Sequence, residues 1–171
     1  MCEKITTAPL TEDKVAMVSS LLARSWKHAY KGFMDENYLM SLTDENWIEY
    51  LENSMKSQDI DCYIVQKNEN VIGTTIFGKS ITEQFPNDGE IISMYLDHQF
   101  MGQGIGKLLF TKAESAVKEQ GYANCIICTF TENKKAIKFY KSYGYEIVLN
   151  DQSITMGSQN LTYVVMRKSF L

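Results

Sequence analysis

The chain has 171 residues, 44% hydrophobic and 22% charged, which suits one domain over residues 1–171 with a sizeable core and excludes wholesale disorder. Its net charge is −4 with no basic run, so nucleic acid is not expected as a main partner, and a mildly acidic surface favours cationic acceptors such as amines. No stretch approaches the ~18 apolar residues of a membrane span. Met1-Cys2-Glu3-Lys4-Ile5 lacks the apolar core of a signal peptide, and the four cysteines read as reduced thiols, so a cytoplasmic protein off the membrane is expected.

In chain order, residues 5–7 read as a first strand before Pro9. Thr11 reads as the N-cap of a helix over residues 11–30, with Val15, Val18, Leu21, Leu22 and Trp26 on its apolar side. Gly32 interrupts it, residues 35–40 form a short helix, and Thr43 caps another over residues 43–55 carrying Trp47, Ile48 and Leu51. Residues 61–66 and 71–77 pair as a hairpin around Asn68-Glu69-Asn70. The polar stretch 80–89, with Pro86, is a loop, and residues 90–96 are the next strand. The glycine turn Gly102-Gln103-Gly104-Ile105-Gly106 opens a helix in which Ile105, Leu108, Leu109, Ala113, Ala116 and Val117 recur at three- and four-residue spacing until Gly121. Residues 125–130 are an apolar, central strand. Residues 133–142 are a helix closed by Tyr143-Gly144, and residues 145–149 and 161–166 are two last strands joined by a polar excursion. This order predicts an α/β protein with a mixed sheet in a layered arrangement.

Two segments carry chemistry. A glycine turn at a helix start gathers bare N–H groups and the positive end of the helix dipole, which suits an anion. It lacks the Gly-Lys-Ser/Thr ending of a nucleotide P-loop, and its third glycine comes too early for a dinucleotide fingerprint, so taken alone it also fits a tight turn without ligand. In the second segment Ala136, Ile137 and Tyr140 share a helix face behind Asn133, which fits either ligand contacts or an N-cap above core aromatics. Cys125 and Cys128 have the spacing of a metal or redox pair, but three residues apart in a strand they point to opposite faces, so no metal is expected.

Together and in this order, the strand, the turn at Met101-Gly102-Gln103-Gly104-Ile105-Gly106 with its helix, and Asn133-Lys134-Lys135-Ala136-Ile137-Lys138-Phe139-Tyr140 closed by Gly144-Tyr145 resemble the GCN5-related N-acetyltransferase (GNAT) superfamily. The resemblance implies a single-layer, mostly antiparallel twisted sheet of about six to seven strands with a splayed central pair, flanked by about four to five helices. It also implies an acetyl-CoA site. Gly102, Gln103, Gly104, Ile105, Gly106 and Lys107 match the pyrophosphate loop; Met94, Tyr95 and Leu96 match the splayed strand along which the pantetheine arm lies; Asn133 and Tyr140 match cofactor contacts of the second motif. The chain departs from the pattern at the Arg/Gln position, which falls on Met101; a second register, Gln99 with Gly102 and Gly104, also satisfies it two residues earlier. We prefer the first because it sets Gly104 and Gly106 at the helix start.

The implied reaction is direct acetyl transfer to a primary amine of a small molecule: an amine, polyamine or amino compound. An amine of pKa near ~10 must lose a proton before attack. Glu90 matches the general base, with Glu83 and Asp88 as back-ups, a backbone N–H near Leu96 is expected to hold the developing oxyanion, and Tyr140 matches the general acid. The acceptor would be recognised by Trp26, Tyr30 and Phe33, with His28 and Tyr38 nearby around Gly32, residues that also fit a plain core. A protein Nα- or lysine acetyltransferase, and a non-catalytic acyl-CoA-binding sensor, are the other readings. Whether the sheet edge or final hairpin builds a homodimer is left open.

Overall fold

The computed structural model describes residues 4–171. In chain order its elements are β1 (Ile5–Pro9), α1 (Val15–Ala29), α2 (Glu36–Ser41), α3 (Ile48–Lys56), β2 (Ile60–Lys67), β3 (Asn70–Lys79), β4 (Gly89–Leu96), α4 (Ile105–Glu119), β5 (Asn124–Phe130), α5 (Lys134–Ser142), β6 (Glu146–Met156) and β7 (Gln159–Ser169). The seven strands form one sheet in the order β1-β2-β3-β4-β5-β7-β6. Only β4 and β5 run parallel; every other pair is antiparallel. β5 is therefore an inner strand, and its buried Cys125, Ile126 and Ile127 explain its apolar run.

Alternating side chains feed two cores. Ile76 on β3 joins Val18, Leu21, Leu22 and Leu51 of α1 and α3, whereas its neighbour Phe77 joins Phe110, Ala113 and Val117 of α4 with Tyr140 of α5. α1 and α3 thus cover one face, α4 and α5 the other.

Three boundaries differ from the sequence reading. The first helix begins as a 3-10 turn at Glu12–Lys14, and Thr11 makes no side-chain cap; Lys14 N–H bonds the Thr11 carbonyl instead. Residues 43–46 form a turn closed by Asn46, whose Oδ1 accepts from the Thr43 N–H at 2.6 Å, so α3 starts only at Ile48. The polar excursion near the C-terminus is strand: β6 runs to Met156 and turns at Gly157-Ser158 into β7. As an edge strand with little buried surface it carries polar residues on both faces, and its register shifts about Asp151 (φ 53°) erase the alternation that marks a strand.

The feature that shapes the site is where β4 leaves β5. Gly89 pairs with Cys125 and Glu90 with Ile126, and the parallel ladder stops there. Between Ile76 and Phe77 of β3 the partner on β4 steps from Ser93 to Ile91, leaving Ile92 as the extra residue of a bulge. Past it, residues 91–96 pair only with β3, while residues 127–130 pair only with β7. Two inner strand edges are left facing a gap.

Candidate active site

The gap exposes backbone groups in a known phase. Asp97 N–H bonds the Ile72 carbonyl at 2.8 Å. Antiparallel neighbours alternate bonded and non-bonded pairs, so Tyr95 is bonded to Thr74 while the N–H groups of Met94 and Leu96 turn towards β5. Such edges accept an extended ligand carrying its own amides. Among the described residues the Ser93 hydroxyl on this stretch is buried without a partner, as is the Thr131 hydroxyl just past β5.

At the gap's end, Asp97–Phe100 turns the chain through a short 3-10 segment into the glycines. Gly102 (φ 76°) and Gly104 (φ 80°) take left-handed backbone, and a Cβ added at either would meet no atom within 4 Å. The protein leaves this space open. Gly104 is the N-cap of α4, so the N–H groups of Ile105, Gly106 and Lys107 lack helical partners there. Gln99 lies in the 3-10 turn, where its carbonyl accepts from Gln103 Nε2 at 3.1 Å, and Met101 is exposed. The cradle is backbone, so the side chain at Met101 is not what forms it. Asn133 caps α5, its Oδ1 accepting from Ala136 N–H at 3.3 Å.

Tyr140 lies inside this second helix at 8% exposure. Burial raises its phenol well above the ordinary value, and its hydroxyl makes no hydrogen bond among the described residues. Tyr95 and Tyr30 share a hydroxyl–hydroxyl bond of 2.7 Å. Burial pushes Tyr30 up to about 12 and raises Tyr95 well above its ordinary value, so both phenols stay neutral. The Tyr30 ring lies 5.0 Å from Phe130 of β5 and 6.5 Å from Tyr95 of β4, bridging the gap from the α1 face.

The expected acceptor aromatics do converge. Trp26 packs on Tyr30 at 5.0 Å and on Trp47 at 5.5 Å, and Phe33 lies 5.5 Å from Tyr30 and 5.9 Å from Phe130. Trp47, which the sequence marks only as an apolar residue of the third helix, and Phe130, which it marks only as part of an apolar strand, join this wall. His28 is elsewhere: it stacks on His98 at 4.6 Å, beside Asp97. Tyr38 packs on the β6–β7 turn, its hydroxyl reaching Met156 Sδ at 3.7 Å.

Glu90 ends the paired part of β4 and is 2% exposed, not the solvated glutamate a strand end suggests. Its Oε2 accepts from Ser80 Oγ (2.9 Å), Ile81 N–H (2.9 Å), Thr82 N–H (3.2 Å) and Thr82 Oγ1 (3.2 Å); Oε1 meets only Thr82 Oγ1, at 3.3 Å. Burial raises its pKa, and these donors oppose the rise without cancelling it. Of the back-ups, Glu83 is exposed, and Asp88 is a buried anchor whose carboxylate accepts from Arg167 Nε at 2.7 Å and Asn124 Nδ2 at 3.1 Å. Cys62, Cys125 and Cys128 are free thiols that burial pushes up to about 11, 12 and 11; Cys2 lies outside the described residues. No trio of His, Cys, Asp or Glu fit for a metal occurs among the described residues, and no helix there is long and apolar enough to cross a membrane.

The profile of the acetyltransferase (GNAT) family matches residues 22–145. Spermidine N(1)-acetyltransferase of Thermoplasma acidophilum is 25% identical over 137 residues, covering 75% of this chain and 80% of that protein. The crystal structure of the PaiA N-acetyltransferase of Thermoplasma acidophilum with coenzyme A superposes at a TM-score of 0.77 with 23% identity, covering 98% of this chain and 99% of that one. Ribosomal-protein-alanine N-acetyltransferase of Brucella melitensis gives 0.75 at 19% identity, covering 96% and 99%. The chain belongs to the acetyltransferase (GNAT) family.

Proposed function

We propose that the protein transfers an acetyl group from acetyl-CoA directly to a primary amine of a small molecule, with polyamines the first class to test. The observation that carries this is the gap between β4 and β5, with the glycine cradle at its end, a free phenol at Tyr140 beside it and a buried carboxylate at Glu90 where the strands part. Polyamines are preferred because the matched relative from Thermoplasma acidophilum acts on spermidine, and because an acidic chain attracts polycations.

The residues present fit the cofactor: Gly102 and Gly104 leave room for a pyrophosphate, the helix N–H groups of Ile105, Gly106 and Lys107 face it, and the edge at Met94, Tyr95 and Leu96 suits a pantetheine arm. Bound acetyl-CoA supplies the activated thioester. Glu90 Oε1, the less occupied oxygen, receives the amine's proton through water; β4 rises ~3.3 Å per residue, which puts Glu90 too far from Met94 for direct contact. A backbone N–H of Met94 or Leu96 donates to the acetyl oxygen as negative charge develops there. The Tyr140 hydroxyl donates its proton to the departing sulfur and regains one from the second N–H proton that the nitrogen sheds as it becomes an amide. As the C–N bond forms the C–S bond breaks, and no covalent enzyme adduct is needed.

The test is thiol release from acetyl-CoA across polyamines, amino acids, aminoglycosides and lysine or N-terminal peptides. Release with small amines supports this reading. Release with peptides alone would favour a protein acceptor, and acetyl-CoA binding without release would favour a sensor.

A further inference from the structure

We propose that Gln159 is a positioning residue for the acceptor site. Its side-chain amide holds the segment between α1 and α2 so that Tyr30 and Phe33 close the gap between β4 and β5. The inference rests on the proposed function only in taking this aromatic wall to be where the acceptor lies.

Within residues 30–35, Tyr30 and Met34 are buried in a cluster with Leu39, Leu42 and Leu161, but the backbone makes few hydrogen bonds of its own. The backbone bonds within the segment are Phe33 N–H and Met34 N–H to the Tyr30 carbonyl, at 3.3 and 3.1 Å. Lys31 and Gly32 are exposed and Phe33 and Asp35 half-buried. Apart from the two anchors Tyr30 and Met34 the stretch is short of hydrogen bonds, and such backbone opens locally at lower cost than a packed helix. Gln159, the first residue of β7, reaches across from the far end of the chain. Its Nε2 donates to the Phe33 carbonyl at 2.9 Å, and its Oε1 accepts from the Asp35 N–H at 2.7 Å. These two groups, on residues two apart, are what a strand edge shows to a neighbour. The glutamine amide supplies one donor and one acceptor and stands in for the missing peptide.

The surrounding contacts seat the same turn. Gly157 (φ 60°) leaves room for the Tyr38 ring, which would lie 3.0 Å from a Cβ there. Next to the clamp, Phe33 and Tyr30 meet Phe130 of β5, and Tyr30 bonds Tyr95 of β4. A shift of the segment therefore moves the two rings that span the gap. Few other side chains satisfy both groups. An ionised glutamate accepts but does not donate, and adds a third carboxylate to Asp35 and Glu36, which with Lys31 line the same cleft of about 600 Å³. Methionine matches the length and offers neither group. A protonated glutamate again carries one donor and one acceptor.

The experiment compares wild type, Gln159→Met and Gln159→Glu, with acetyl-CoA and spermidine as substrates and amide hydrogen exchange at Asp35 as a readout independent of turnover. For Gln159→Met the KM for spermidine rises about tenfold, as expected for two lost hydrogen bonds, with the KM for acetyl-CoA unchanged. Asp35 exchange speeds by a similar factor. For Gln159→Glu the spermidine KM relative to wild type falls as pH drops towards the carboxyl's pKa, while the ratio for Gln159→Met stays flat. Equal rises in both KM values, a flat ratio for Gln159→Glu, or unchanged Asp35 exchange would each overturn the proposal. If wild type acetylates no amine in the panel, the proposed function fails by itself, and the exchange rate at Asp35 still decides whether the clamp exists.

Discussion

Replacing Glu90 by glutamine separates the carboxylate's two jobs. In the folded protein Oε2 gathers four donors from residues 80–82 and holds that loop, while Oε1 keeps one long contact. A glutamine amide oxygen can occupy the Oε2 position, and its NH2 group can take the Oε1 position beside the Thr82 hydroxyl, so Glu90→Gln should unfold within about 1 kcal/mol of wild type. It cannot accept the amine's proton. Loss of a general base costs about 10²–10⁴ in kcat/KM, or roughly 2.7–5.4 kcal/mol of barrier. Glu90→Ala behaves differently: the Ile81 N–H loses its acceptor and the contacts from Ser80 and Thr82 go with it, at about 1–3 kcal/mol in all, so stability falls together with activity. The pH profile provides the control. Burial sets the Glu90 pKa above the ordinary carboxylate value, so wild-type kcat/KM drops about tenfold per pH unit below it, and the glutamine variant lacks that limb. The stability linkage has the opposite trend. Between the unfolded carboxyl pKa of about 4.3 and the raised folded one, the folded state binds more protons, so wild type loses stability relative to Glu90→Gln as pH rises. Full activity of Glu90→Gln with the acid limb intact would leave Glu90 as a loop anchor and refute its role as base.

Tyr140→Phe should lower kcat about 10²-fold, by loss of the proton donor, while urea unfolding stays within about 0.5 kcal/mol, because the hydroxyl has no partner to lose among the described residues. Gly89→Ala puts a Cβ 2.3 Å from Val117 Cγ1 at the join of β4, β5 and α4; about 1–3 kcal/mol of destabilisation by overpacking is expected, read as a lowered Tm. Residues 101–144 carry seven lysines against three glutamates, net +4 in a chain of net −4, and Lys107, Lys134, Lys135 and Lys138 are exposed without ion pairs among the described residues. The KM for acetyl-CoA should therefore rise as salt goes from about 0.05 to 0.3 M, with a smaller rise for acetyl-dephospho-CoA, measured by thiol release.

What the sequence made legible follows from how local each signal is. The helix of Ile105, Leu109, Ala113 and Val117 and the turn before it are written in consecutive residues, and α4 begins directly after Gly104. The apolar β5 and the hairpin of β2 and β3 carry their own alternation or lack of it. The bulge at Ile92 is a matter of pairing, and Ile91-Ile92 looks like any apolar strand. Glu90 could not be read as buried, because its burial depends on a loop folding back over it. Gln159 and Asp35 lie 124 residues apart, and no local pattern joins them. β6 was half missed because an edge strand facing water shares its composition with loops.

The position of the gap follows from one short stretch. Asp88, Gly89 and Glu90 sit where β4 meets β5, and each does a different thing. Asp88 ties the junction to Asn124 of β5 and Arg167 of β7, and as a buried carboxylate it is tolerable only because Arg167 lies against it. Gly89, without a side chain, lets Val117 of α4 come down onto the sheet. Glu90 is the last paired residue, and from Ile92 the bulge carries β4 away. Strands pinned at one end and bent beyond it must part in one direction, towards the glycine turn, so the stiff part of the fold and the start of the site are adjacent residues. A substitution at Asp88 should then act on where β4 and β5 separate, and so on both substrates at once, whereas Glu90→Gln, which keeps the loop contacts, should act on the proton alone.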